Sequence, residues 1–266
     1  MADGWQHVTL RVMATLSHLA PPLATSGVDL AHNLAAVRAR IAAAAGRIGR
    51  EAEEVAVVAV SKTVPLERLR SAPAAGIADL GENRVQEAAP KIEVLGHAVT
   101  WHLVGHLQSN KAKAAARLFD LIHSVDDVEV ATALDRQAGA LGKRQRVLFQ
   151  VNLAGEESKS GFAPAELHTV VERLAALPHL RPEGLMTIAP QGAGEEDLRG
   201  VFRALRLLRD QLAPAFRGEP WRHLSMGMTD DYEIAVEEGA TLVRVGRAIF
   251  GERVPGGAGA SGRQGH

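Results

Sequence analysis

The sequence predicts an α/β fold that closes into a single (β/α)8 TIM barrel. Eight short β-branched apolar runs alternate with longer segments of helical spacing, and the runs are continuous rather than alternating. Such strands are typical of a parallel sheet that is covered on its outer face. The alternative, an open doubly wound sheet, would more often carry a Gly-rich turn after its first strand. This chain has Lys62-Thr63-Val64-Pro65 there instead.

The strands are predicted from the apolar runs, each bounded by polar or turn residues. The eight runs are Val55–Ser61, Ile77–Gly81, Thr100–Gly105, Phe119–Ser124, Arg146–Asn152, Arg181–Thr187, Trp221–Met226 and Leu242–Gly246.

Helices are predicted before the first strand and between successive strands, from apolar residues at helical spacing. They are Leu30–Ile48, Leu66–Ala75, Val85–Leu95, Ser109–Leu118, Val128–Leu141, Pro164–Leu177, Asp197–Phe216 and Asp231–Glu238. The residues expected to cap helix N-termini are Asn83, Ser109, Asp126 and Thr229.

The barrel is expected to occupy residues 28–254, with flexible ends on both sides. Residues 1–27 are weakly similar to a signal peptide, but Asp3 and scattered basic residues break the pattern, and Pro21-Pro22 indicates a linker. Residues 255–266 are Gly-rich and are expected to be disordered. No apolar run approaches the roughly 20 residues of a membrane span.

Composition excludes several classes of function. The 30 Lys and Arg residues nearly balance 31 Asp and Glu residues, so there is no general electrostatic reason to expect nucleic acid or an acidic membrane as partner. The chain has no cysteine, which rules out disulfides, thiolate nucleophiles and cysteine-ligated zinc. Only six of the basic residues are lysine, namely Lys62, Lys91, Lys111, Lys113, Lys143 and Lys159.

Candidate site residues follow the strands, where the βα loops of a barrel carry its chemistry. Lys62 ends the first strand, so it is either a surface lysine or a desolvated amine suited to Schiff-base chemistry. Asn83 follows the second strand, as a helix cap or a ligand contact. His102 and His106 lack a third metal ligand at suitable spacing, so we expect no metal and place His102 in the core or under a lid. The polar loop 155–161 is either an exposed turn or a cover over a ligand.

The last two strands indicate a phosphate site. Strand seven ends in Leu224–Asp230, where a hydroxyl and a glycine precede a helix start, and strand eight ends in Val243–Gly251. Backbone N–H groups at helix starts favour anions, and the loops after strands seven and eight of such barrels frequently bind phosphate. With Lys62 across the closing seam, this predicts a phosphorylated ligand with a reactive carbonyl. Arg244 lies between Val243 and Val245 on the strand, so its side chain points to the opposite face from theirs. Either Arg244 or the two valines therefore face the barrel interior. If it is Arg244, it needs an acceptor such as a pyridine nitrogen or an acidic side chain.

Eight motifs, in order, resemble the pyridoxal phosphate homeostasis proteins, and the match covers about Asp29 to Arg253. The motifs are VSKTVP (Val60–Pro65), GENRVQE (Gly81–Glu87), WHLVGHLQSNK (Trp101–Lys111), HSVDD (His123–Asp127), ESKSGF (Glu157–Phe162), GLMTI (Gly184–Ile188), LSMGMTDDYEIAVEEGAT (Leu224–Thr241) and VRVGRAIFG (Val243–Gly251).

The resemblance implies a barrel like the N-terminal domain of alanine racemases, with pyridoxal 5′-phosphate as cofactor. Lys62 would hold it as a Schiff base, with Asn83 beside it and Arg244 facing the pyridine nitrogen. Residues implied to hold the phosphate, largely through backbone N–H groups, are Ser225, Met226, Gly246 and Arg247. Many family members have Ser or Thr where this chain has Arg247, so its guanidinium either binds phosphate or leaves that to its backbone.

The implied function is a non-enzymatic, cytoplasmic carrier that buffers pyridoxal phosphate or delivers it to apo-enzymes. It is expected to be a monomer without nucleic-acid or membrane partners. The alternative is a pyridoxal-phosphate enzyme of the amino-acid racemase type. Racemisation needs a second base, which in alanine racemases is a tyrosine of an additional domain, and this chain has only Tyr232 and no residues left for that domain. A cofactor-free lysine aldolase would explain Lys62 but fewer of the motifs.

Overall fold

Eight parallel strands close into a barrel in chain order in the computed structural model, which describes residues 28–155 and 160–251. The strands are β1 (Ala56–Val60), β2 (Asp79–Glu82), β3 (Thr100–Leu103), β4 (Leu121–Val125), β5 (Gln145–Gln150), β6 (Leu180–Met186), β7 (His223–Ser225) and β8 (Leu242–Val245). The predicted (β/α)8 TIM barrel is therefore confirmed, and each strand overlaps the apolar run that predicted it.

Closure depends on the pairing of β1 with β8. Ala56 pairs with Leu242 and Ala59 with Val245, so the ends of both strands reach the same rim of the barrel. On its other side β1 pairs with β2, where Val60 lies opposite Gly81. The residues that follow β8, β1 and β2 are thus neighbours around the C-terminal rim.

The helices form the outer layer and follow the predicted segments. They are α1 (Leu30–Arg47), α2 (Leu66–Leu69), α3 (Val85–Leu95), α4 (Ala112–Leu118), α5 (Val128–Ala140), α6 (Pro164–Ala175), α7 (Glu195–Leu212), α8 (Tyr232–Glu237) and α9 (Arg247–Phe250). The largest difference is α2, predicted to reach Ala75. Pro73 has no backbone N–H to donate to Leu69, so the helix cannot continue through it.

None of the four predicted helix caps is the N-cap residue of its helix. Lys111 and Asp231 are the N-caps where Ser109 and Thr229 were predicted, and the other two predictions are wrong by one residue. Asp127 caps α5 by accepting a hydrogen bond from the Val130 amide at 2.6 Å, whereas Asp126 faces elsewhere. The N-cap of α3 is Arg84, and it makes no side-chain capping bond. Asn83 therefore does not cap α3.

The apolar core has two layers. A large cluster, which includes Trp101, Phe149 and Val243, lies between strands and helices. A small cluster that includes Val58, Leu121 and Leu148 fills the inside of the barrel. Polar side chains share that narrow interior with few apolar ones, which is where the candidate site begins.

The predicted ends of the barrel fall partly outside the structure's description. Residues 1–27 and 252–266 lie beyond the described part of the chain. Within the described residues, no helix has the length and apolar character required to cross a membrane.

Candidate functional site

Lys62 lies two residues beyond β1 on the C-terminal rim, half-buried. Its neighbour Thr63 has φ of 63°, a left-handed conformation that residues other than glycine seldom adopt. Such strained backbone concentrates at functional sites. On one side of β1 the rim carries Gly246, where an added Cβ would lie 3.3 Å from the Val60 carbonyl oxygen. On the other side it carries Asn83, so the tertiary fold brings these predicted residues to adjoining positions.

A buried ion pair supports the end of β1. The Lys91 ammonium of α3 donates to Glu82 Oε1 at 2.7 Å and to the Ser61 carbonyl oxygen at 2.8 Å. The Ser61 hydroxyl donates to the same carboxylate oxygen at 2.6 Å. Glu82 is fully buried and is not a solvated residue. This ion pair fixes the residue that immediately precedes Lys62.

Arg244 points into the barrel, as one of the two alternatives for β8 required. It is 5% exposed, while Val243 and Val245 pack outward against the helices. Its Nη1 donates to Ser225 Oγ and its Nη2 to the Thr187 carbonyl oxygen, both at 2.8 Å. No ion pair to Arg244 occurs among the described residues. An acidic side chain, Asp231, attracts Arg244 electrostatically but makes no ion-pair contact with it.

A series of hydrogen-bonded polar side chains continues from Ser225 through the barrel. His123 Nδ1 lies 2.8 Å from Ser225 Oγ, and His123 Nε2 lies 2.9 Å from His102 Nδ1. His102 Nε2 in turn lies 2.9 Å from Asp79 Oδ1. His102 is 2% exposed, which confirms the prediction of a core histidine.

The predicted phosphate residues in the loops after β7 and β8 differ in whether their backbone amides already donate hydrogen bonds. Amides of Ile249 and Phe250 both donate to the Gly246 carbonyl oxygen, whereas those of Arg247 and Ala248, in the first turn of α9, have no acceptor within the helix itself. The Met226 amide donates to the Leu242 carbonyl oxygen.

The Arg247 guanidinium is half exposed and donates to Asp230 at 2.6 Å. Its partner Asp230 is itself exposed, so this surface ion pair leaves both alternatives for the Arg247 side chain open.

A cleft of about 720 Å³ adjoins Asn83 on the β2–β3 side of the rim, lined also by Gly105 and His106. His106 Nδ1 is 2.7 Å from Asp126 Oδ2 and 3.3 Å from Ser160 Oγ. Both partners share one ring nitrogen, so the three residues do not form a Ser–His–Asp relay, which needs both nitrogens. Burial raises the pKa of Asp126, although its bond to His106 opposes this.

The polar loop 155–161 is only partly described. Residues 156–159, which include Lys159, lie outside the described residues. At its end, the Ser160 carbonyl oxygen accepts a hydrogen bond from Gln150 at 2.7 Å. Whether the loop covers a ligand stays a prediction.

Sequence reasoning missed the residues beneath the rim, above all His123, Thr187, Glu82 and Lys91. A usable signal existed for His123, which stands two residues from Leu121 in an apolar run and so faces the same side of the strand. Lys91 gave no such signal, because on a helix it resembles a surface lysine. Among residues 28–155 and 160–251, no group of three or more His, Asp or Glu side chains is placed to hold a metal.

Gly105→Ala is expected to lower the free energy of unfolding by about 1–3 kcal/mol, the usual range for overpacking. A Cβ at this position would lie 2.3 Å from the Asn83 carbonyl oxygen and 2.7 Å from its Cα, so the backbone that carries Asn83 must move. Urea unfolding measures the change. Gly200→Ala in α7 is the control, since its Cβ would meet nothing within 4 Å and should stabilise the helix by about 0.5–1 kcal/mol. Equal effects of the two substitutions would contradict the close approach.

Comparisons with known proteins agree on the family and the fold. Residues 32–254 match the family described as alanine racemase, N-terminal domain. The pyridoxal phosphate homeostasis protein of Escherichia coli (strain K12) is 44% identical over 234 residues, covering 85% of this chain and 97% of the relative. The protein of the same name from Aquifex aeolicus is 41% identical, covering 85% and 99%.

Solved structures give the same result. PipY of Synechococcus elongatus PCC7942 with PLP bound is 39% identical with a TM-score of 0.75, covering 84% of this chain and all of PipY. Alanine racemase from Corynebacterium glutamicum shares the fold alone, at 19% identity and a TM-score of 0.64. This chain covers 62% of that enzyme.

Proposed function

The chain belongs to the alanine racemase N-terminal domain family and within it to the pyridoxal phosphate homeostasis proteins, and we propose that its C-terminal rim binds pyridoxal 5′-phosphate through Lys62. The protein then takes part in intracellular homeostasis of this form of vitamin B6, by buffering or delivering it. The observation that carries the proposal is Arg244, a buried cation beside the rim that bears Lys62, whose hydrogen-bond acceptors among the described residues are a hydroxyl and a carbonyl oxygen. Its remaining N–H donors suit a neutral ring nitrogen.

The proposed roles follow the placement of each residue. Lys62 supplies the primary amine for covalent attachment, Asn83 lies beside the cofactor, and Arg244 donates to the pyridine nitrogen. Phosphate is held by the backbone at Gly246 and Arg247, because helix first-turn amides are natural anion donors.

Ser225 and Met226 also belong to the proposed phosphate site. The Ser225 hydroxyl is already committed to Arg244 and His123, and the Met226 amide to Leu242. Their contribution would therefore come from other backbone groups or from rearrangement.

Arg244 gives the site its chemical character. Burial lowers its pKa to about 10, which leaves the guanidinium charged at neutral pH. A cation that keeps its protons leaves the ring nitrogen of the cofactor unprotonated, and the ring is then a poorer electron sink. The cofactor supplies an aldehyde that binds an amine reversibly, and this arrangement suits holding it more than carbanion chemistry.

The racemase alternative would need a tyrosine base at the rim, and the chain's one tyrosine does not lie there. Tyr232 is 1% exposed, and the Arg40 guanidinium of α1 lies 5.4 Å from its ring centroid, on the outer layer of the barrel. Burial raises its pKa further. The proposal is therefore of a carrier without racemase activity, monomeric and cytoplasmic, whose recipients are apo-enzymes that use pyridoxal phosphate.

The experiment that tests the function is transfer of cofactor. Purified protein should be yellow, or become so with added pyridoxal phosphate. With a scavenger of free cofactor present, the loaded protein should restore activity to an apo-transaminase faster than the same concentration of free pyridoxal phosphate does. A colourless protein that takes up no pyridoxal phosphate would contradict the carrier and the racemase alike, and leave the cofactor-free aldolase.

Incubation with single L-amino acids in D₂O is expected to give no α-proton exchange above a heat-treated control. The physical reason is that the chain's one tyrosine, Tyr232, is buried in the outer layer away from the rim, and that Arg244 would leave the ring nitrogen unprotonated. Proton NMR of the amino acid measures the exchange. Sustained turnover, many exchanges for each protein molecule, would replace the carrier with the racemase alternative.

A further inference from the structure

Five side chains inside the barrel, Arg244, Ser225, His123, His102 and Asp79, make four consecutive hydrogen bonds of 2.8–2.9 Å. We call them the interior chain. It begins beside the C-terminal rim and ends at Asp79, the first residue of β2, whose side chain is 24% exposed. The four other members are at most 5% exposed. No role proposed above uses His123, His102 or Asp79.

The direction of the first two bonds follows from what each group can do. A guanidinium only donates, so Ser225 Oγ accepts from Arg244. The Ser225 hydroxyl must then place its own hydrogen on another acceptor, and among the described residues that acceptor is His123 Nδ1. His123 Nδ1 is therefore unprotonated.

The proton positions in the rest of the interior chain then follow as well. Burial, above all other causes, lowers the pKa of His123 well below its usual value, so its ring is neutral. A neutral ring without a proton on Nδ1 carries it on Nε2. That N–H donates to His102 Nδ1, and His102 therefore carries its own proton on Nε2, which donates to the Asp79 carboxylate.

We infer that the interior chain is a one-way series of donors from Arg244 to Asp79, with both histidines neutral and protonated on Nε2, and that it positions Arg244 for the ligand at the rim. Its ligand-binding part rests on the proposed function. Ser225, His123, His102 and Asp79 are positioning residues, since they act on the ligand through Arg244. The Ser225 hydroxyl belongs to the interior chain and is not a donor to phosphate.

The opposite direction satisfies the same distances at a higher cost. His102 would be a cation paired with Asp79, and His123 would carry its proton on Nδ1 and donate it to Ser225 Oγ. The Ser225 hydroxyl hydrogen would then have no acceptor in a fully buried position, and a second cation would enter the interior that already holds Arg244. An unpaired buried hydrogen-bonding group and an added buried charge both oppose this arrangement.

Nitrogen-15 NMR of histidine-labelled protein without cofactor decides the direction at neutral pH, with His102→Asn and His123→Asn to assign the two rings. The expected result is two neutral rings, each protonated on Nε2. An imidazolium at His102, or a proton on Nδ1 of His123, overturns the inference. Because no cofactor is present, this outcome does not depend on the proposed function.

Asp79→Asn gives the sharpest comparison, because the amide oxygen still accepts a hydrogen bond but carries no charge. The inference expects both ring tautomers to stay as they are. The opposite direction expects His102 to lose its charge, and that result overturns the inference. Asp79→Leu removes the acceptor at a partly exposed position, so it should fold and should perturb the His102 ring signals.

The coupling to the ligand is tested with Ser225→Ala, which leaves Arg244 Nη1 without its acceptor. Pyridoxal phosphate should bind about tenfold more weakly, as expected when a bond to a charged group is lost, and its absorption maximum on the protein should shift. His168→Asn on the exposed face of α6 is the control and should change neither. Wild-type affinity and spectrum in Ser225→Ala overturn the positioning role, whereas failure of the wild-type protein to bind the cofactor contradicts the proposed function.

Discussion

Lys62→Ala is expected to abolish covalent binding of pyridoxal phosphate and to weaken total binding at least tenfold, about 1.4 kcal/mol. Lys62 is the lysine at the end of β1, between the positions of Gly246 and Asn83 on the rim. The substituted protein keeps the phosphate and ring-nitrogen contacts proposed for Arg247 and Arg244, so residual binding should be non-covalent. Borohydride reduction followed by mass spectrometry measures the label, and absorbance spectroscopy measures affinity.

Lys113→Ala is the matched control, since this lysine is exposed on α4. It should retain full labelling and wild-type affinity. Full labelling of Lys62→Ala would show that another lysine holds the cofactor, with Lys159 the next to be substituted. Unchanged unfolding curves for both variants would show that the loss of label at Lys62 is not caused by unfolding.

Lys91→Met is expected to lower the free energy of unfolding by about 3–5 kcal/mol, the usual effect of removing one member of a buried ion pair. The Glu82 carboxylate would stay fully buried without a neighbouring cation. Of its present hydrogen bonds, the one from the Ser61 hydroxyl would remain. For a domain of this size each kcal/mol corresponds to about 2–4 °C in Tm. Thermal and urea unfolding measure the change.

Two further variants show whether charge is the cause. Lys113→Met, a matched change at an exposed position, should alter stability by less than about 0.5 kcal/mol. Glu82→Gln combined with Lys91→Met removes both charges and should recover part of the lost stability. If the double variant is as unstable as Lys91→Met alone, the loss comes from packing rather than from an unpaired carboxylate.

The strand order and the rim were accessible from sequence because local patterns carry them. Continuous apolar runs predicted all eight strands, and Lys62 and Arg244 stood out because a charge at the end of such a run, or within it, is rare. Helix ends were less accessible. Asp126 and Asp127 are chemically equal as caps, and only the tertiary contact with His106 assigns Asp126 to another task.

The sequence by itself determined the barrel, its family resemblance and the lysine and arginine that define the candidate site. The tertiary structure alone decided what each buried polar group is paired with. It joined Glu82 to Lys91 across nine residues, and Ser225 to His123 across 102. Hydrogen bonds between side chains depend on distances of a few tenths of an ångström between residues far apart in the chain. Periodicity shows which face of a strand a residue takes, but only the closed barrel brings those faces together.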